Sequence, residues 1–276
     1  MPEPDSMSME LLNPFLHFTD TTKEYPSPNG PIAVVEGFEL RIAKGEFITI
    51  IGHSGCGKST MLMVAAGLNK VSRGGVILQN RLIEEPGPDR GVVFQSPSLF
   101  PWMTALQNVL IGVDQVRPND SHKERVAVCK HYLERVGLGD SLNKKASELS
   151  IGMKQRVSLA RAFALKPKLL LLDEPFGMLD SLTRADLQEI LLDIWNTEKI
   201  TALMVTHDVD EALYLSDRVV MMTSGPRAHV GNILKVNFER PRNKQEVIEH
   251  PDYYVHRGTL IGFLESESYG DHSVAA

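Results

Sequence analysis

Gly52-His53-Ser54-Gly55-Cys56-Gly57-Lys58-Ser59 decides the fold. It fits the phosphate-loop pattern G-x-x-x-x-G-K-[ST]. The glycines let successive backbone N–H groups turn inward around phosphate oxygens. Lys58 is placed to reach the β- and γ-phosphates, and the Ser59 hydroxyl to ligate Mg²⁺. The helix that opens here aims its positive end at the same phosphates. The context agrees, because the apolar run Phe47–Ile51 precedes the loop and reads as a buried strand. We therefore assign Gly52, His53, Ser54, Gly55, Cys56, Gly57, Lys58, Ser59 and Thr60 to nucleotide binding. Cys56 reads as a tolerated small side chain rather than a redox switch, since a switch needs a depressed thiol pKa.

Further along the chain, Leu169-Leu170-Leu171-Leu172-Asp173-Glu174 is an apolar strand ending in two carboxylates. Adjacent acids at the end of a buried strand are costly unless they serve a metal or a proton transfer. In phosphate-loop enzymes the Asp helps to hold Mg²⁺, which gives Asp173 that role. Glu174 then polarises the attacking water as general base. Val205-Thr206-His207-Asp208 follows another apolar strand, and His207 can donate to a γ-phosphate oxygen. The other eight of the nine histidines suggest no catalytic role.

Strands alternate with helices on both sides of these motifs, which indicates an α/β fold with a parallel sheet. Strands are expected at Phe15–Thr19, Phe38–Ile42, Val76–Leu78, Gly91–Phe94, Ala202–Val205, Val219–Met222 and Asn232–Phe238. Helices are expected from the phosphate loop to about Leu68, and over Ser121–Val136, Glu148–Leu165, Ser181–Asn196 and Asp208–Ser216. Four segments result: a flexible tail over 1–13, a nucleotide-binding core over 14–95 and 161–225, a helical insertion over 96–160, and a strand–helix extension over 226–276.

Composition narrows the class. The 276 residues include 42% hydrophobic residues, enough for a sizeable core. The net charge of −6 disfavours general nucleic-acid binding. The two cysteines, Cys56 and Cys129, exclude a disulfide framework and point to a reducing compartment. No apolar stretch approaches the roughly 18–20 residues of a membrane helix, and Met1–Asn13 lacks the features of a signal peptide. A membrane path, if one is needed, is expected from another polypeptide.

The order of motifs resembles the ATP-binding cassette of ABC transporters over about residues 14–225. The elements are the phosphate loop, Gln95 after a strand, Leu149-Ser150-Ile151-Gly152-Met153-Lys154-Gln155-Arg156, Leu169–Glu174, Gly177-Met178-Leu179-Asp180 and His207. The resemblance implies a phosphate-loop core with a parallel sheet, antiparallel strands and an inserted helical subdomain. It implies that Tyr25 stacks on adenine and that Gln95 contacts Mg²⁺ and water. Ser150 and Gly152 would cap the γ-phosphate bound to a second cassette. Asp180 would lie in the loop that crosses the dimer interface, and His207 would be the switch histidine. The expected ligands are ATP and Mg²⁺.

The signature departs from the family's L-S-G-G-Q, with Ile151 for the first glycine and Met153 for the glutamine. A β-branched residue disfavours φ > 0 and close backbone approach. Two readings stay open: a weakened ATP site facing this signature, or a harmless substitution whose side chain points away.

Gly30–Pro31, Ile51–Gly57, Glu85–Arg90 and Pro101–Ala105 resemble the nitrate/sulfonate/taurine group of importer ATPases. Gly112–Asp114, Met221–Pro226 and Phe238–Arg242 resemble its nitrate-type branch, which bicarbonate and cyanate importers share. The implied partners are integral membrane permease subunits, a second cassette and a periplasmic or lipoprotein solute-binding component. The implied location is the cytoplasmic face of the membrane, as a peripheral subunit. Leu99, Phe100, Trp102, Met103 and Leu106 fall where the family docks a helix of the permease. DNA-repair and ribosome-associated relatives fit less well. The former need a coiled-coil arm, and only about 90 residues separate Lys58 from Ser150. The latter carry two cassettes and basic segments.

Overall fold

The computed structural model describes residues 13–270. The tail expected over 1–13 lies outside the described residues except for Asn13. Two compact units emerge, one formed by the chain up to Pro86 together with the chain from Thr201 onward, the other by Gly87–Ile200.

In the first unit, β1 (Leu16–Tyr25) lies between β2 (Ile32–Ile42) and β4 (Arg73–Leu78), antiparallel to both, and the two-residue β5 (Arg81–Leu82) extends the sheet. Leu16 pairs with Ile42 and Phe18 with Leu40, and all four are buried. Strands β1 and β2 run well beyond the segments Phe15–Thr19 and Phe38–Ile42 expected from alternation. Bulges break the two-residue period, with Asp20 at φ +42° and Gly37 at φ +64°. Gln79 and Asn80, both at positive φ, form the tight turn between β4 and β5.

The other sheet of this unit is built on β3 (Phe47–Ile51), which pairs in parallel with β8 (Thr201–Val205) and β9 (Arg218–Met222). β10 (Val230–Lys235) closes against β9 antiparallel, a shift from the expected Asn232–Phe238. Every residue of β3, β8 and β9 is buried, as parallel strands covered on both faces require.

Helix α1 (Lys58–Ala65) stops short of the expected Leu68. Gly67 at φ +76° ends it: the N–H groups of Gly67 and Leu68 turn back to the carbonyls of Val64 and Met63. A Cβ at Gly67 would lie 2.4 Å from the Glu85 carbonyl oxygen, so only glycine fits.

The second unit contains β6 (Arg90–Val93) parallel to β7 (Leu169–Asp173) and four helices: α2 (Ala105–Val116), α3 (His122–Arg135), α4 (Ile151–Ala164) and α5 (Ser181–Glu198). Capping boxes start α2 (Thr104 with Gln107) and α3 (Ser121 with Glu124). Tyr132, Leu133 and Val136 are buried, and the Tyr132 ring stacks on Phe163 of α4. Helix α4 is shorter than the expected Glu148–Leu165. Ala146–Glu148 forms a separate 3₁₀ turn, Leu149 is extended, and Ser150 is the cap.

Three helices follow β8: α6 (Val209–Leu215), α7 (Lys244–Glu249) and α8 (Pro251–Gly270). Among the described residues, no helix is long and apolar enough to cross a membrane.

Candidate functional site

The predicted site residues divide between the two units. Tyr25, Gly52 to Thr60 and His207 belong to the first; Gln95, Ser150, Gly152, Asp173, Glu174 and Asp180 belong to the second.

In the first unit, the loop joins the end of β3 to the start of α1. Gly55 and Gly57 adopt φ +83° and +103°, a region L side chains rarely enter. A Cβ at Gly57 would approach Val35 Cγ2 to 2.5 Å, so the position is closed sterically as well. Lys58 curls into the loop it closes, and its ammonium donates to the carbonyls of Gly52 (2.8 Å) and His53 (2.9 Å). The His53 ring reaches outward, with Nε2 2.7 Å from the Leu264 carbonyl. Cys56 is buried, and burial pushes its thiol pKa up, in keeping with the inert reading.

Tyr25 ends β1 and is 38% exposed. Lys23 Nζ sits 4.8 Å from the ring centroid, and Asn69 donates to the hydroxyl at 3.3 Å. His207 is exposed in the short loop between β8 and α6. Its neighbours fix that loop. Thr206 donates to the buried Glu211 carboxylate at 2.7 Å, and Asp208 caps α6 by accepting from the N–H groups of Asp210 and Glu211.

In the second unit, Asp173 is the last residue of β7, and Glu174 turns away from the strand at φ +42°. Such a backbone is strained for a residue that carries a Cβ, and strain of this kind collects at working sites. Gln95 Nε2 donates to Glu174 Oε2 at 3.4 Å. The loop carrying Gln95 is tied to α4 on both sides: Gln155 donates to the Phe94 carbonyl at 3.2 Å, and Arg161 to the Ser98 carbonyl at 2.8 Å.

Ser150 caps α4, its hydroxyl accepting from the Met153 N–H at 3.3 Å. Ile151 begins that right-handed helix and is 41% exposed. The strain expected from φ > 0 is therefore absent, and what remains of that expectation is the steric bulk of an exposed side chain. Gly152 is required by contact, since a Cβ there would lie 2.6 Å from Thr183 Cγ2. Thr183 is also held by Asp180, which accepts from its N–H (3.1 Å) and its hydroxyl (2.7 Å). These bonds lower the Asp180 pKa. Thr183 thus joins the turn at Asp180 to the start of α4.

Residues 35–177 match the family described as ABC transporter. The chain belongs to that family. It is similar to the bicarbonate transport ATP-binding protein CmpD of Synechocystis sp., with 50% identity over 250 residues, 91% of this chain and 89% of that protein. It is equally similar to the nitrate import ATP-binding protein NrtD of Synechococcus elongatus, with 50% identity over 250 residues, 91% of each chain. Among solved structures, the MJ0796 ATP-binding cassette, a dimer in a post-hydrolysis state bound to ADP and Pi, matches with TM-score 0.72 and 31% identity. That match covers 81% of this chain and 100% of the other. The ABC cassette fold expected from the motifs is thus borne out, and the chain is an ATP-binding ABC ATPase coupled to transport.

Arg161 and Thr183 act by holding the loops at Gln95 and Asp180, and no local pattern marks them; Gln155 lies in the quoted signature, which gave it no role of its own. The partner of the His53 ring lies 211 positions away in α8.

Proposed function

We propose that this cassette hydrolyses ATP to energise import of a small planar oxyanion, nitrate or bicarbonate. The observation that carries the ATPase reading is Lys58 held at the centre of a loop whose glycines admit close phosphate approach. The substrate reading rests on the relatives, whose names divide between the two anions. Both ions are planar monoanions with three oxygens on a trigonal centre, and bicarbonate differs from nitrate by carrying an O–H donor.

In this reading the N–H groups from Gly52 to Thr60 cradle the phosphates, and Lys58 neutralises charge on the β- and γ-oxygens. Tyr25 stacks on adenine. Glu174 orients the attacking water and accepts its proton, with Gln95 positioning the carboxylate. His207 donates to the γ-phosphate. Catalysis is positioning plus charge stabilisation. Ser150 and Gly152 present the N-terminus of α4 to the γ-phosphate of a second cassette, and Asp180 lines the dimer interface.

Ser59, Gln95 and Asp173 offer hard oxygen donors, which suit Mg²⁺. Among the described residues no three His, Cys, Asp or Glu side chains gather as a metal cage. Mg²⁺ would be held by the side-chain oxygens of Ser59, Gln95 and Asp173 together with substrate phosphates. When bound, Mg²⁺ supplies charge neutralisation at the β- and γ-phosphates.

Residues 14–95 and 161–225 act as the nucleotide core, 96–160 as the helical subdomain and 226–276 as an extension. The permease contact is the groove of about 430 Å³ lined by Trp102, Met103, Gln107, Leu110, Ile111 and Asp114, where Trp102 is 65% exposed. Buried Asn108 holds the groove's edge, accepting from the Phe100 N–H at 2.8 Å and donating to the Phe100, Met103 and Thr104 carbonyls. The assembly sits at the cytoplasmic face of the membrane, and a solute-binding component delivers the anion from the opposite side.

Uptake of isotope-labelled nitrate and bicarbonate by vesicles holding the complete transporter tests this reading. ATP-dependent accumulation of either ion is expected, without competition by taurine or alkanesulfonates. Accumulation of taurine instead would overturn the substrate class.

A further inference from the structure

One face of helix α8 touches two elements of the proposed ATP site within its own unit. Residues 253, 257, 260, 264 and 267–268 follow one another at spacings of three or four, so they form a single stripe. At its start, Tyr253 donates to Asp210 Oδ1 at 2.8 Å, and Arg257 donates to the same oxygen at 2.8 Å. Asp210 lies in the first turn of α6, three positions after His207. Midway, Leu260 is fully buried. The neighbouring Phe263 lies against Gly231 of β10, where an added Cβ would come within 2.6 Å of the ring.

At the far end the helix meets the phosphate loop. His53 Nε2 is 2.7 Å from the Leu264 carbonyl and 3.0 Å from Ser268 Oγ. A carbonyl oxygen only accepts, so Nε2 carries the proton and donates it. Glu267 accepts from the Ser224 N–H at 2.8 Å, and the Ser224 hydroxyl donates back to the Glu267 carbonyl at 3.2 Å. Between helix and loop lies a cavity of about 620 Å³, lined by Ile32, Val34, His53, Ser54, Glu267 and Ser268 among others.

We propose that α8 is a strap that holds the first limb of the phosphate loop, with His53 and Glu267 as positioning residues that set the affinity for ATP. The carbonyls of Gly52 and His53 that seat the Lys58 ammonium belong to the limb the strap holds. Freed from α8, that limb gains conformations that nucleotide binding must then remove. The strap's contacts fall on the phosphate loop and on the first turn of α6, so its effect is expected on binding rather than on turnover. The inference rests on residues 52–59 binding the phosphates of ATP.

The test measures Kd for mant-ATP on the full chain, and KM and kcat for ATP in the complete transporter. His53→Leu and Glu267→Ala are expected to raise Kd and KM by about three- to tenfold, the scale of one neutral hydrogen bond. For Glu267→Ala kcat stays within about twofold, and in both variants the thermal unfolding midpoint falls by no more than a few degrees. His53→Gln, which keeps an N–H donor, recovers most of the loss. Wild-type affinity in both His53→Leu and Glu267→Ala, or a fall in kcat at constant KM, overturns the strap. Lys58→Ala separates the two layers. If it binds mant-ATP as tightly as wild type, the phosphate-loop reading fails and the strap falls with it. If it loses binding while the α8 variants do not, the strap alone fails.

Discussion

Gln95 and Glu174 are 79 positions apart in sequence, yet the Gln95 amide donates to the Glu174 carboxylate at 3.4 Å. The carboxylate is thereby aimed, on a residue whose backbone sits at φ +42°. Gln95→Leu is expected to lower kcat about 10- to 100-fold, the scale of one hydrogen bond to a charged group. ATP binding should stay near wild type, as read by ATPase rate beside mant-ATP titration. Unchanged kcat would remove Gln95 from the catalytic set.

The phosphate loop folds around the Lys58 ammonium. Lys58→Ala is expected to weaken nucleotide binding by at least about tenfold and to abolish detectable hydrolysis. Nucleotide titration and ATPase assay on the same preparation check both.

Gly152 and Thr183 form a pair that a double mutant can resolve. Gly152→Ala puts a methyl 2.6 Å from Thr183 Cγ2 and should cost about 1–3 kcal/mol of stability. Thr183→Ser deletes that methyl and keeps the hydroxyl bonded to Asp180. The double variant should regain most of the loss in urea unfolding, and additive losses would refute the contact.

Both thiols are masked. Burial is the main cause of a raised pKa at Cys56 and Cys129, and at Cys129 the value moves from 9.0 to about 12. Because the folded value exceeds the unfolded one, the Cys129 contribution to stability is complete below about pH 8.5 and is lost as pH rises toward 12. Iodoacetamide at pH 8 should label neither residue until urea unfolds the chain. Fast labelling of the native chain would contradict this.

The phosphate loop was legible because one lysine and glycines of positive φ at fixed spacing admit few other uses. The buried parallel strands β3, β8 and β9 were legible from dense apolar runs. Boundaries were not. Ser150 starts α4 because its hydroxyl caps Met153, and periodicity alone ran the helix back to Glu148. Gly67 ended α1 through a left-handed turn that the apolar pattern overran. The role of α8 was hidden because its partners, His53 and Asp210, are distant in sequence, and each of its contacts alone looks like ordinary packing.

The most direct test of the central claim is ATP-driven anion uptake by vesicles carrying the complete transporter with either wild-type chain or Glu174→Gln. The account predicts that the variant still binds ATP but loses about 10²-fold or more in hydrolysis, and accumulates neither nitrate nor bicarbonate. Uptake and hydrolysis by Glu174→Gln at rates near wild type would contradict it.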